Sequence, residues 1–154
     1  MEVFNLFHGE TAPCEGMPPG MHQRERALGE LLGGSRLGMS VYDLEPGEKT
    51  WPYHYELADE EWLLVVAGEP TLREPAGERR LRAGDVVCFP VGPEGAHQLR
   101  NDTQERARVA LLSTVAAGVD ATVYPDSGKA QLRGEGTHLR WRTGPVLDYW
   151  DGEA

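Results

Sequence analysis

The side chains of this 154-residue chain best suited to coordination chemistry are His54, Glu56 and Glu61, close together, and His97, far along the chain. A first-row metal ion needs several nitrogen or oxygen donors converging on one point, and residues at i and i+2 of a strand project from one face. His54 and Glu56 have that spacing. A third donor beyond a turn can return on the adjoining strand, and a fourth can arrive from a distant one; Glu61 and His97 fill those places. Such a set would hold one divalent ion with positions left open for a small molecule.

Positioning these groups is a task for strands. Gly and Pro punctuate the chain every eight to twelve residues or so, and between them lie short runs rich in valine, leucine and aromatics, the pattern of an all-β barrel or sandwich. Leu37, Met39 and Val41 alternate with smaller or polar neighbours and lead into the turn Pro46-Gly47. The run Trp62 to Val66 is apolar at every position, which predicts a strand covered on both faces and turned by Gly68-Glu69-Pro70 into Thr71-Leu72-Arg73. Ala83-Gly84-Asp85 turns into Val86 to Phe89, with Cys88 placed in the core, and His97 to Arg100 and Arg108 to Ser113 read as the next two strands. One helix is expected, Gln23 to Leu32, with Ala27, Leu28, Leu31 and Leu32 on a single face, although Gly29 interrupts it and an extended reading fits nearly as well. Beyond Ala117 come a short strand at Thr122 to Tyr124, a turn at Pro125 to Gly128, and an aromatic tail with Trp141, Tyr149 and Trp150, which should pack against its own barrel or a twin subunit.

Two clusters follow a recognisable order. The first is Gly47, then His54, Glu56, Glu61 and Gly68; the second is Gly84, Pro90, Gly92, His97 and Asn101. In this the chain resembles the cupin superfamily, whose first motif runs glycine, His-x-His, glutamate, glycine and whose second runs glycine, Pro-x-Gly, histidine, asparagine. Both motifs are present, with an extra residue before His54, two extra before His97, and Glu56 where the family's second histidine belongs. The resemblance covers roughly residues 37 to 115 and implies a double-stranded β-helix, or jelly roll, with an N-terminal extension and an aromatic C-terminal tail around it. It also implies that His54, Glu61 and His97 sit at metal-ligand positions inside the barrel mouth.

A lone histidine in a strand is usually a satisfied or exposed side chain, but two at motif positions beside Glu61 favour coordination. Glu60 is the competing carboxylate; the spacing to Gly68 favours Glu61 and leaves Glu60 on the opposite face. Three roles are open to Glu56: a ligand, a hydrogen-bonded group behind the ligands, or a general base. Asn101 and Gly92 read as turn and barrel-closure residues. Tyr53 and Tyr55 should point away from the metal, and His8, His22 and His138, which have no partner at metal spacing, should lie at the surface. Gly128-Lys129 lacks the rest of a phosphate loop, no Gly-x-Ser-x-Gly elbow occurs, and Cys14 has no activating neighbour.

Composition narrows the partners. With 25 acidic against 15 basic residues the formal charge is -10, a field that repels phosphate backbones and anionic lipid, so neither nucleic acid nor membrane is expected. No signal peptide or membrane span is evident, and two distant cysteines suggest no disulfide framework, so the expectation is a single cytoplasmic domain over 1–154. The apolar tail and N-terminal segment predict a homodimer, the commonest closed assembly. For function, the first expectation is a metal-dependent enzyme, of dioxygenase, isomerase or lyase type, acting on a small oxygen-rich molecule through one iron, manganese, nickel or zinc ion. The alternatives are a barrel that binds metal or a small ligand without turnover, and a structural cupin that has lost its metal. The last leaves buried carboxylates without partners, which is costly.

Overall fold

A computed structural model describes residues 1–21, 23–115, 118–134 and 136–153, with Gln23 described in its backbone alone. Thirteen strands run in chain order: β1 (Ala12–Pro13), β2 (Gln23–Ala27), β3 (Leu37–Leu44), β4 (Tyr55–Glu56), β5 (Glu61–Ala67), β6 (Thr71–Glu74), β7 (Gly77–Arg80), β8 (Val86–Phe89), β9 (Gln98–Arg100), β10 (Ala107–Thr114), β11 (Val119–Tyr124), β12 (Lys129–Gly134) and β13 (Thr137–Arg142). They form a six-stranded sheet in the order β1-β2-β3-β10-β5-β8, a three-stranded sheet β7-β6-β9, and a four-stranded sheet β13-β12-β11-β4, with every strand pairing antiparallel. Single 3-10 turns at Pro93–Gly95 and Pro125–Ser127 are the only helical elements among the described residues. The expected all-β jelly roll is thus observed.

Alternation along the central strands builds the interior. Tyr42 and Leu44 of β3, Leu63 and Val65 of β5, and Val109 and Leu111 of β10 point into one cluster with Leu72, Leu81, Phe89 and Leu99. Burying an aliphatic side chain of this kind contributes about 2 kcal/mol. The intervening residues Val41, Val66 and Ala110 face outward and are covered by Leu28, with Phe4 and Leu6 packed beside them. The N-terminal extension is therefore the outer layer of the large sheet. It is pinned there by buried Asp43, which accepts 2.7 Å hydrogen bonds from Arg108 Nε and Nη2 and a 2.6 Å bond from Thr11 Oγ1.

Three local expectations need correction. Residues 23–27 are strand β2, paired with β3, and of Ala27, Leu28, Leu31 and Leu32 only Leu28 is buried, so no common apolar face exists. Strand pairing overrides a weak helical pattern already broken by Gly29. The run 62–66 is covered on both faces only in part: Leu64 and Val66 meet the N-terminal layer, while Trp62 is 45% exposed. Cys88, directly opposite Trp62 on β8, shares that outer face and is half-buried rather than core.

Beyond the motifs, β11, β12 and β13 fold back on the chain's own barrel, and β11 pairs with β4 through Thr122↔Glu56 and Val123↔Tyr55. Of the tail, residues 145–153 form no strand and Val146, Leu147, Tyr149 and Trp150 are exposed. No helix among the described residues is long and apolar enough to cross a membrane.

Candidate metal centre

The two histidines meet because their backbones pair. His54 N–H donates to His97 O at 3.2 Å and His97 N–H donates to His54 O at 2.8 Å, an isolated antiparallel bridge. A directly opposed pair presents both side chains on one face. Glu61 opens β5, whose inward positions continue through Leu63 and Val65, so its carboxylate enters the barrel mouth from the adjoining strand. Gly92, at φ 92°, makes the turn before His97, and Gly95 stands where any Cβ would overlap the Pro90 carbonyl.

Each imidazole is oriented from behind. His54 Nδ1 lies 3.0 Å from Pro52 O and His97 Nδ1 2.9 Å from Gly95 O, contacts that place the proton on Nδ1 and turn the Nε2 lone pair into the mouth. Phe89 stacks on His97 with centroids 3.7 Å apart, Tyr124 stacks on His54 at 5.8 Å, and Trp51 meets both rings edge-on. The rings have little room to turn.

Donor atoms of His54, Glu61 and His97 all lie within 4.8 Å of one another, and all three residues are buried. Glu61 Oε2 is 3.4 Å from His97 Nε2 and 3.9 Å from His54 Nε2, beyond good hydrogen-bond length. An ion with bonds of about 2.0–2.2 Å separates its donors by roughly 3–3.5 Å, close to these gaps. Glu56 stands at the edge of the trio, Oε1 3.7 Å from His54 Nε2. His97 Nε2, Glu61 Oε2 and Glu56 Oε2 are buried without any hydrogen-bond partner. Leaving such atoms unpaired costs 1–3 kcal/mol or so each, and a shared cation removes that cost. The residues present fit a divalent ion.

Electrostatics agree. Burial lowers His54 to about 4; burial and the neighbouring His54 lower His97 to about 3, so both rings are neutral. Burial raises Glu61 to about 7, assisted by Asp59 and Asp120, and raises Glu56 to about 8, assisted by Asp120 and Glu61. Near pH 7 the His–Glu contacts are therefore not salt bridges: neutral imidazoles face carboxyl groups poised to give up their protons to a metal.

A cavity of about 300 Å³ opens over the centre, lined by Ser40, Tyr42, Trp51, Thr122, Tyr124, Gln131 and Arg133 as well as His54, Glu56 and Glu61. Tyr53 and Tyr55 do not line it, and Tyr53 packs beneath Arg73 instead. Glu60 accepts a 2.7 Å bond from Trp62 Nε1 on the outer face. Asn101 is a closure residue, its amide donating to Leu44 O at 2.9 Å and Glu105 O at 2.7 Å. His8 and His138 are exposed, and His22 lies outside the described residues. The wall contributed by β11 and β12 was not anticipated. Its signal was polar residues at alternate positions, Asp120-Thr122-Tyr124 and Gln131-Arg133, on strands that would ordinarily turn apolar side chains inward.

The fold and site together define a double-stranded β-helix with a candidate metal centre in its mouth. A family model described as Cupin domain matches residues 40–115, and the chain carries a cupin domain. Among solved structures it is similar to a protein from Acidithiobacillus ferrooxidans, provisionally named a sugar phosphate isomerase, at 25% identity and a TM-score of 0.77 over 84% of this chain and 82% of that one. It is similar in fold to a sugar phosphate isomerase of the cupin superfamily from Silicibacter pomeroyi, at 24% identity and a TM-score of 0.80 over 96% and 98% of the two chains. A Cupin 2 conserved barrel domain protein from Salinispora arenicola shares the fold at 22% identity and a TM-score of 0.59, over 76% and 91%. No curated protein matches the chain.

Proposed function

We propose that this protein is a metal-dependent enzyme acting on a small oxygen-rich molecule, and that its reaction is an isomerisation in which a proton moves between adjacent carbons. The observation that carries the reading is the convergence of His54, Glu61 and His97 with buried, unpartnered donor atoms, beside a carboxyl group, Glu56, whose acidity lies close to neutrality. His54, Glu61 and His97 would hold a divalent ion, which would supply a Lewis acid for a carbonyl or hydroxyl oxygen of the substrate. Glu56 is the proton carrier: it takes the proton from the hydroxyl-bearing carbon next to the carbonyl and returns it to the carbonyl carbon, while the hydroxyl proton passes to the former carbonyl oxygen, so the step balances without an oxidant or a second substrate. Ser40, Thr122 and Tyr124 offer hydroxyl groups to a polyhydroxylated substrate, and Tyr42 and Trp51 form an aromatic wall of the same cavity. The same donor set would serve a dioxygenase or a lyase. Isomerisation is preferred because one proton carrier suffices for it and because the Acidithiobacillus relative bears that provisional name.

The test is solvent exchange. Metal-loaded protein is incubated in deuterated water with aldose and ketose sugars and their phosphates, and proton NMR follows the carbons flanking the carbonyl. Deuterium should enter at that position for one substrate of the panel, and Glu56→Gln should keep its metal and lose the exchange. Stoichiometric metal with no exchange in any substrate would move the protein to the non-catalytic reading, a barrel that holds metal or a small ligand.

A further inference from the structure

The cavity wall supplied by the C-terminal sheet is basic although the chain as a whole is acidic. The chain's formal charge is -10, yet the segment 129–142 holds four basic residues, Lys129, Arg133, Arg140 and Arg142, against the single acid Glu135. Strand register decides where they point. Glu56 on β4 lies opposite Thr122, Thr122 opposite Gln131, and Gln131 opposite Arg140; in the neighbouring row Asp120 lies opposite Arg133 and Arg133 opposite His138. Directly opposed residues share a face, and alternate residues along each strand share it too. Thr122, Gln131 and Arg133 line the cavity, so the face that begins at Glu56 beside the metal centre becomes cationic as it runs outward. Arg140 Nε donates to Gln131 Oε1 at 2.6 Å, which holds it on that face.

Arg133 is set for recognition rather than for closing an ion pair. Asp120 is 7% exposed and lies beside the Glu56 carboxyl, while Arg133 Nη2 stands 3.7 Å from Oδ2 with its own side chain 56% exposed. The buried carboxylate therefore attracts one edge of the guanidinium without saturating it, and the planar fork remains presented to the cavity.

We infer that Arg133, supported by Arg140 and positioned by Asp120, receives the phosphate group of a phosphorylated substrate whose other end lies at the metal centre. Strands are about 4.8 Å apart, so Gln131 and Arg140 lie roughly 10 and 14 Å along the sheet from Glu56, a span suited to a short phosphorylated chain. The inference rests on the reading of this site as that of a small-molecule enzyme, but its test does not depend on metal uptake.

Inorganic phosphate is the probe, titrated calorimetrically into full-length protein with and without metal. Arg133→Gln should weaken phosphate about ten-fold in both forms, the size of one charge-assisted hydrogen bond, with Arg133→Lys between it and wild type, and Arg140→Gln should weaken it less. Metal affinity should change less than two-fold or so in the same variants, which shows that the site is intact. Phosphate bound equally by wild type and Arg133→Gln overturns the proposal, and so does acetate bound as tightly as phosphate, which would mean selection for charge alone. A protein that takes up no metal yet loses phosphate in Arg133→Gln sinks the enzyme reading and leaves the anion site standing.

Discussion

Metal uptake by this centre should expel protons at neutral pH, and the amount identifies which carboxylates ionise. In the metal-free protein Glu61 is raised to about 7 and Glu56 to about 8, while His54 and His97 are lowered to about 4 and about 3. At pH 6 both histidines are already neutral and release nothing. Glu61 is then ionised about one part in ten and Glu56 about one part in a hundred, so ionising both costs about a thousand-fold in apparent affinity relative to the alkaline limit, ~4 kcal/mol. If Glu61 alone must ionise, the cost is about ten-fold. Calorimetric titration of a divalent ion at pH 6, 7 and 8, in buffers of different ionisation enthalpy, measures both affinity and protons released. Wild type should follow the steeper dependence, and Glu56→Gln, which has no proton to lose there, the shallower one. Affinity that is flat from pH 8 to 6 and falls only below pH 5 would refute the reasoning, because it would mean that the carboxylates are ionised before metal arrives.

The same shifts predict a pH-dependent stability. Raised carboxyls support the metal-free fold fully below pH 4.5 and lose that support as pH rises through about 7 and 8; lowered histidines support it fully above pH 6.5 and lose it as pH falls through about 4 and 3. The two effects offset between those limits, so metal-free protein should lose on the order of 2 kcal/mol from pH 6.5 to 8 and the stabilisation by metal should grow over that interval, as thermal melts with and without metal will report. A substitution Gly95→Ala forces a Cβ onto the Pro90 carbonyl, shifting the turn whose carbonyl orients His97; denaturant unfolding should show a cost of about 1–3 kcal/mol, and metal affinity should drop severalfold. The exposed Leu139, Trp141, Val146, Leu147, Tyr149 and Trp150 lead us to expect a dimer, and light scattering at micromolar concentration that finds a monomer would reject it.

What the chain declared in advance followed from spacing and from the motifs. Strand spacing pairs His54 with Glu56 and leaves places for Glu61 and His97, the resemblance to the cupin motifs singles out His54, Glu61 and His97, and the structure brings these three together. Gly84, Gly92 and Asn101 punctuate and close the barrel where glycine dihedrals and a buried amide are needed. The failures came where tertiary contact decides. Residues 23–27 have a pattern readable either way, and only pairing with β3 makes them strand. Trp62 and Cys88 look like core because nothing local says that the N-terminal layer stops short of them. Asp120, Gln131 and Arg133 were not foreseen because their place depends on β11 pairing with β4, a contact between residues more than sixty apart along the chain. Glu56, by contrast, departs from the family pattern in the sequence itself, and it stands beside the trio, 3.7 Å from His54 Nε2.

The central claim is that His54, Glu61 and His97 bind one divalent metal ion. Elemental analysis of protein purified without added metal, compared with His54→Ala and His97→Ala purified alongside, tests it most directly. The account predicts close to one equivalent of iron, manganese, nickel or zinc per chain and its loss in both variants. Glu56→His should retain or tighten binding as a three-histidine site. Folded wild-type protein that carries no metal and takes none up on titration, or His97→Ala that keeps a full equivalent, would contradict it.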